Sequence, residues 1–202
     1  MPLIATRGAA SAQGFGEFAQ SAAATYIEDV FSTYLYTGNS STQTITNGID
    51  LAGKGGLVWI KSRSAATDHK LTDTVRGATK ALISDTTAAQ TTDTNGLTAF
   101  SSTGFSIGTD SVYNTNAATY ASWTFRKQPK FFDVVTYTGD GVDNRQITHN
   151  LGSAPGCIIV KSTSASNGWC VYHRASGADF AQLGLNRSEE HTSELQSPYV
   201  IS

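Results

Sequence analysis

Charge is scarce in this chain: 15% of its 202 residues are charged, well below the roughly 25% usual for soluble domains. The 14 Lys and Arg are outnumbered by 16 Asp and Glu, for a formal net charge of -2. No positive excess is left to hold phosphate backbones, which argues against a dedicated nucleic-acid binder. Cysteine is nearly missing too. Cys157 and Cys170 are too few for a disulfide framework and lack partners at zinc-ligand spacing. No apolar run approaches the roughly 20 residues that cross a bilayer as a helix, and Met1 to Arg7 lacks the basic-then-apolar layout of a secretion signal. The sequence therefore predicts a soluble protein with no membrane partner. A Gly-x-Ser-x-Gly elbow, a phosphate loop, His-Glu-x-x-His and Cys-x-x-Cys are all absent. Neither catalysis nor a cofactor is expected.

Neutral polar residues fill the space that charge leaves. The chain holds 27 Thr, 22 Ser and 19 Gly, about a third of its length, a composition that favours strands and turns over a helical bundle. Apolar residues reach 39%, enough for a core. The best strand is Ala118 to Arg126, where Ala121, Trp123 and Phe125 alternate with Tyr120, Ser122, Thr124 and Arg126. Leu57 to Lys61 is almost continuously apolar, which suits a central strand. Phe105 and Ile107 alternate with Ser106 between Gly104 and Gly108. Further strands are expected at 30–37, 43–49, 69–75, 81–84 and 97–100. About eight short strands, with no amphipathic helix of ten residues between them, predict an all-β antiparallel sandwich. Alternation places Trp59, Phe105, Ile107, Trp123 and Phe125 between its sheets.

An internal repeat divides the chain. Tyr36-Thr37-Gly38 returns as Tyr137-Thr138-Gly139, and Gln43 to Asn47 resembles Gln146 to Asn150. Gly56 to Ser62 matches Gly156 to Ser162 at an offset of 100 residues, and Arg76-Gly77-Ala78 resembles Arg174 to Gly177. Four ordered blocks at nearly constant offset indicate a duplication of a unit the size of a sandwich domain. The expected organisation is an arm over 1–28, a complete copy over 29–127 and a truncated copy over 128–186. Phe15, Phe18, Ala22 and Tyr26 stand at helical spacing in the arm. If Lys161 and Trp169 bound a hairpin, Cys157 faces residue 173 and Cys170 faces residue 160. The sulfurs then lie on opposite sides of the ribbon as two free thiols.

Residues 187–197, Arg-Ser-Glu-Glu-His-Thr-Ser-Glu-Leu-Gln-Ser, resemble the in-frame translation of a sequencing adapter. Three of the chain's five Glu fall there. On this reading 187–202 is a non-native tail, the natural sequence continues past Asn186, and the second copy lacks counterparts of Leu97 to Lys127.

Candidate sites are few. His69 and Asp73 share a strand face beside Asp68, but Trp169 and His173 occupy the matching places in the second copy. A hydrogen-bonded histidine at a polar strand edge explains them more simply than acid-base work. Asp140-Gly141-Val142-Asp143-Asn144 has part of a calcium pattern without its spacing or terminal Glu, so an Asx turn is expected and no metal. His149 and His173 read as surface or turn residues. The loop Gly108 to Asn116 combines an aromatic face with amide and carboxylate groups, the equipment with which lectin-like loops hold a sugar. Asp110, Tyr113, Asn114 and Asn116, together with Trp169 after the polar loop Ser162 to Gly168, are therefore the expected ligand-binding residues.

Gly-Leu-Val-Trp-Ile-Lys-Ser-Arg at 56–63, Asp-Thr-Val-Arg-Gly-Ala-Thr-Lys at 73–80, Gly-Phe-Ser-Ile-Gly at 104–108, Tyr-Ala-Ser-Trp-Thr-Phe-Arg at 120–126 and Ala-Pro-Gly-Cys-Ile-Ile-Val-Lys at 154–161 together resemble a repeated module. It is similar to the module of structural and tail-fibre-like proteins of tailed bacteriophages. The resemblance spans about 29–186. It implies a virion protein with a sandwich of the concanavalin-like lectin (jelly-roll) kind, homo-oligomeric within a tail appendage, serving assembly or attachment to a host-surface glycan or receptor. Two alternatives are a virion-borne glycan hydrolase, which needs two converging carboxylates, and a bacterial surface adhesin, which should carry an export signal.

Overall fold

The computed structural model describes residues 25–176. The arm residues Phe15, Phe18 and Ala22 and the segment 187–202 lie outside the described residues. Chain order runs through a 3₁₀ turn (Ile27–Asp29), β1 (Phe31–Thr37), β2 (Gln43–Thr46), the one-turn helix α1 (Leu51–Lys54), β3 (Gly56–Ser62), β4 (Lys70–Asp73), β5 (Lys80–Ile83), β6 (Thr91–Thr92), β7 (Leu97–Ser101), β8 (Gly104–Ile107), the one-turn helix α2 (Ser111–Asn114), β9 (Thr119–Arg126), β10 (Cys157–Val160) and β11 (Cys170–His173), then a 3₁₀ turn (Arg174–Ser176). Six strands form one sheet in the order β1-β9-β3-β4-β5-β6, and three form a second in the order β2-β8-β7. Every pairing is antiparallel, so the fold is an all-β sandwich. Turn chemistry sets the joints. Asp50 caps α1 by accepting from the Gly53 amide at 2.7 Å, and Gly55, at φ +75°, ends it.

The core between the two sheets holds Tyr36, Val58, Ile60 and Tyr120 from the large sheet and Ile45, Leu97, Phe105 and Ile107 from the small one. Ile49, Leu51 and Tyr113 close its ends. Phe105 and Ile107 are fully buried, as their alternation predicts. β3 follows the same rule, with residues 56, 58, 60 and 62 inward and Leu57, Trp59 and Lys61 on the other face.

β9 corrects an expectation. Its alternation holds, but the buried side is the polar one. Tyr120, Ser122 and Thr124 point into the core at 1%, 0% and 0% exposure, while Trp123 and Phe125 are half-buried on the opposite face with Trp59. The hydroxyls can go inside because each finds a partner. Thr124 Oγ1 accepts from Asn47 Nδ2 at 2.8 Å, and Ser122 Oγ donates to the Tyr34 carbonyl at 3.3 Å. Alternation separates two faces without saying which one a second sheet covers.

The outer face of the large sheet is covered at two ends. Beside β1 and β9, Phe125 packs against Phe31 and against Phe132 from the chain that turns back after β9, at centroid distances of 5.0 and 5.3 Å. Beside β4 and β5, Trp169 joins Leu71 and Leu82, with Leu57 and Trp59 packed against that group. Trp169 sits on the β10–β11 hairpin, which pairs Cys157 with His173 and Val160 with Cys170. Both thiols are free and exposed. β3 and β4 pair Leu57 with Asp73 through Ile60 with Lys70, the same register 100 residues earlier. The closing bond repeats as well: Thr74 N to Gly56 O is 3.0 Å, and Arg174 N to Gly156 O is 2.8 Å. The aligned blocks therefore build the same hairpin twice. The first hairpin is extended on both sides, by β9 beside β3 and β5 beside β4, whereas β10 and β11 pair only with each other among the described residues, and Ile158, Ile159 and Val160 stay exposed.

Candidate functional site

The residues singled out for binding do not form one ligand site. Tyr113 was expected to offer a ring face, but it is 1% exposed and belongs to the inter-sheet core. Burial first, and the nearby Asp93 carboxylate second, push its phenol well above the usual range. Asn114 is buried as a hydrogen-bond hub. Its Nδ2 donates to the Ser41 carbonyl at 2.6 Å, the Gly108 carbonyl at 2.8 Å and Asn39 Oδ1 at 3.2 Å, and its Oδ1 accepts from the Asn39 amide at 2.8 Å. Asp110 is the N-cap of α2, accepting from the Val112 amide at 2.7 Å. Asn116 is exposed, and its backbone amide donates to Ser40 Oγ at 2.9 Å. Trp169 is 5% exposed, and its indole N–H is shared between the Ile83 and Thr86 carbonyls at 3.0 and 3.1 Å. Four of the five therefore build the fold, and Trp169 belongs to the cluster with Leu71 and Leu82, apart from the inter-sheet core that holds Tyr113.

The remaining polar candidates are engaged as well. Asp73 accepts from the Val75 and Arg76 amides and pairs with Arg76 Nε at 2.5 Å, with both side chains buried. Arg76 also reaches Gln90 and the Leu71 carbonyl. Asp-Thr-Val-Arg is thus a structural knot. Asp140 accepts from the Val142 amide at 3.1 Å in the expected Asx turn, and His149 Nδ1 accepts from the Leu151 amide at 3.2 Å. Asp93 is pushed above the usual carboxylate range by burial and then by Asp110, while the Asn95 and Gly96 amides hold it in its turn.

An open groove lies on the outer face of the large sheet. Trp59, Trp123, Phe125, Lys61 and His69 line a groove of about 240 Å³, below the roughly 300–1,000 Å³ of pockets that enclose a drug-sized molecule, so it suits a single ring-sized unit. β3 and β9 pair Trp59 directly with Trp123. Their rings meet edge to face at 6.0 Å and 62°. At the polar end, Lys61 Nζ lies 2.7 Å from His69 Nε2. The His69 backbone is held on both sides, its amide donating to Asp85 Oδ1 at 2.9 Å and its carbonyl accepting from Ser84 at 3.0 Å. Half-buried rings with a polar end can stack on the C–H face of a sugar and hydrogen-bond its rim. Sequence reasoning assigned these rings to the core. The available signal was that β3 and β9 carry large apolar side chains at the same parity.

Comparison with known proteins shows that the chain belongs to the family described as domain of unknown function DUF7483, matched over residues 27–199. No curated protein and no solved structure matches it.

Proposed function

We propose that this member of the family is a non-enzymatic virion protein of a tailed phage, a module of a tail appendage related to concanavalin-like lectins, which holds a host-surface glycan in the Trp59–Trp123 groove. The observation that carries the binding half is the groove itself, two paired indoles and Phe125 left half-open on a sheet face whose flanks are covered. Such rings bury apolar area against a ligand at little cost in conformational freedom. The virion half rests on the module resemblance of residues 29–186. Fibre-like modules act as homo-oligomers, and weak contacts gain strength when several copies engage one surface.

The test is a glycan array probed with the oligomeric, full-length protein. Wild type is expected to bind, and Trp123→Ala to weaken binding about tenfold or more. No carboxylate lines the groove among the described residues, whereas a hydrolase needs two converging on its substrate. Polysaccharide turnover abolished by changing one or two carboxylates would replace this reading with the hydrolase. Gene neighbours encoding tail or capsid proteins would support the virion assignment, and neighbours encoding cell-surface export would favour an adhesin.

A further inference from the structure

We infer that the groove selects an acidic sugar unit, of uronic or sialic acid type, with the Lys61 ammonium as partner to its carboxylate. The inference rests on the groove being a glycan site and adds the charge class of the ligand. Four ion pairs occur among the described residues: Lys70–Asp68, Arg76–Asp73, Lys127–Asp133 and Arg145–Asp140. Lys61 is in none of them. Its neighbour is the His69 ring, and an ammonium that donates one N–H to an imidazole nitrogen still has two to give. Of the carboxylates around His69, Asp68 pairs with Lys70 at 3.4 Å and Asp85 accepts from the His69 backbone amide.

A cation beside two indoles and a phenyl ring works in a less polar setting than bulk water, where its attraction for an anion is stronger. The rings bind any sugar face, while the ammonium discriminates by charge. Geometry keeps the two functions together, because Trp59 and Lys61 are neighbours on one face of β3 and His69 immediately precedes β4. The second hairpin does not duplicate the site. Ile159 stands where Trp59 does, and Trp169 stands where His69 does.

The experiment titrates the full chain with a galacturonic acid oligomer and a sialic acid oligomer, each beside its carboxyl-reduced form. Wild type is expected to bind at least one acidic form about tenfold tighter than its reduced form, with an advantage that shrinks as salt rises. Lys61→Gln should remove that advantage, so that acidic and reduced forms bind alike, and Trp123→Ala should weaken both. Equal binding of acidic and reduced forms by wild type, with Trp123→Ala weakening both, overturns the acid selection and leaves the groove standing. Binding indifferent to Trp123→Ala, or no binding by wild type, overturns the groove reading and this inference with it.

Discussion

At Gly38 a Cβ atom would lie 2.2 Å from the Thr115 carbonyl oxygen and 2.9 Å from the Asn114 carbonyl carbon. The obstacle is backbone and cannot rotate away. Gly38 also joins that loop by hydrogen bonds, donating to Ala118 O at 2.8 Å and accepting from Ala117 N at 3.0 Å. Gly139, its counterpart in the repeat, has nothing within 4 Å. Gly38→Ala should therefore cost about 1–3 kcal/mol or more, and Gly139→Ala should fall within about 0.5 kcal/mol of wild type. Chemical denaturation of both variants measures the contrast, and equal losses would show that the close approach is not what makes Gly38 necessary. Asp93 gives a second test. Because burial and Asp110 raise its pKa, the folded chain binds its proton more readily than the unfolded one, so the charge opposes folding as pH rises through the folded pKa. Asp93→Asn keeps an acceptor for the turn. It should match or exceed wild type at neutral pH by no more than about 1 kcal/mol, with the difference vanishing below the ordinary carboxylate range. Asp133 works the other way. Burial pulls its pKa up, but hydrogen bonds from Lys127 and from the Asn150 and Val134 amides outweigh that and hold it low, so its contribution is lost as pH falls. A wild type more stable than Asp93→Asn at neutral pH would reverse the assignment.

At the scale of elements, the β10–β11 hairpin is fastened rather than woven in. Its strands share no backbone ladder with either sheet. It is held by the Trp169 indole against Leu71 and Leu82, by the Gln90 amide on the Thr163 carbonyl at 3.0 Å, and by Lys161 Nζ on the Thr87 carbonyl at 3.2 Å. Trp169→Ala removes the one large buried side chain in that set and should cost about 3–5 kcal/mol of local docking. Amide hydrogen exchange is expected to quicken over 157–173 while β3 and β9 keep their protection. Loss of protection in β3 and β9 to the same degree would make the hairpin part of one cooperative unit with the sandwich. α2 is anchored in the opposite manner, by side chains from the large sheet. Tyr36 Oη donates to the Tyr113 carbonyl at 2.9 Å and Tyr120 Oη to the Ser111 carbonyl at 3.1 Å, with the two rings stacked at 5.0 Å. The loop that sequence reasoning read as a ligand loop is thus a clasp that closes one end of the core.

For the molecule as a whole, period-two alternation and turn residues were enough to place eight of the nine strands from β1 to β9 within a few residues, because both are local properties of the chain. Thr91–Thr92, two residues long, is too short to leave a periodic signal. The register of β10 on β11, and with it the separation of the two thiols, followed from the loop between Lys161 and Trp169, since loop length sets hairpin register. The groove was not legible. Tyr120-Ala121-Ser122-Trp123-Thr124-Phe125 carries a usable apolar surface on each face, and nothing local says that Asn47 will come to satisfy Thr124 while Trp123 meets Trp59. Tyr113 was misplaced for a related reason. Asp and Asn around an aromatic ring look the same whether they face solvent or cap and bridge a buried turn. What the sequence determined by itself was the set of strands, their antiparallel class and the repeated hairpin, all carried by nearest-neighbour geometry. Which sheet face lies inside, and hence which aromatics remain open to a ligand, was decided by tertiary structure, because burial depends on residues far apart in the chain that meet only after the sheets pack.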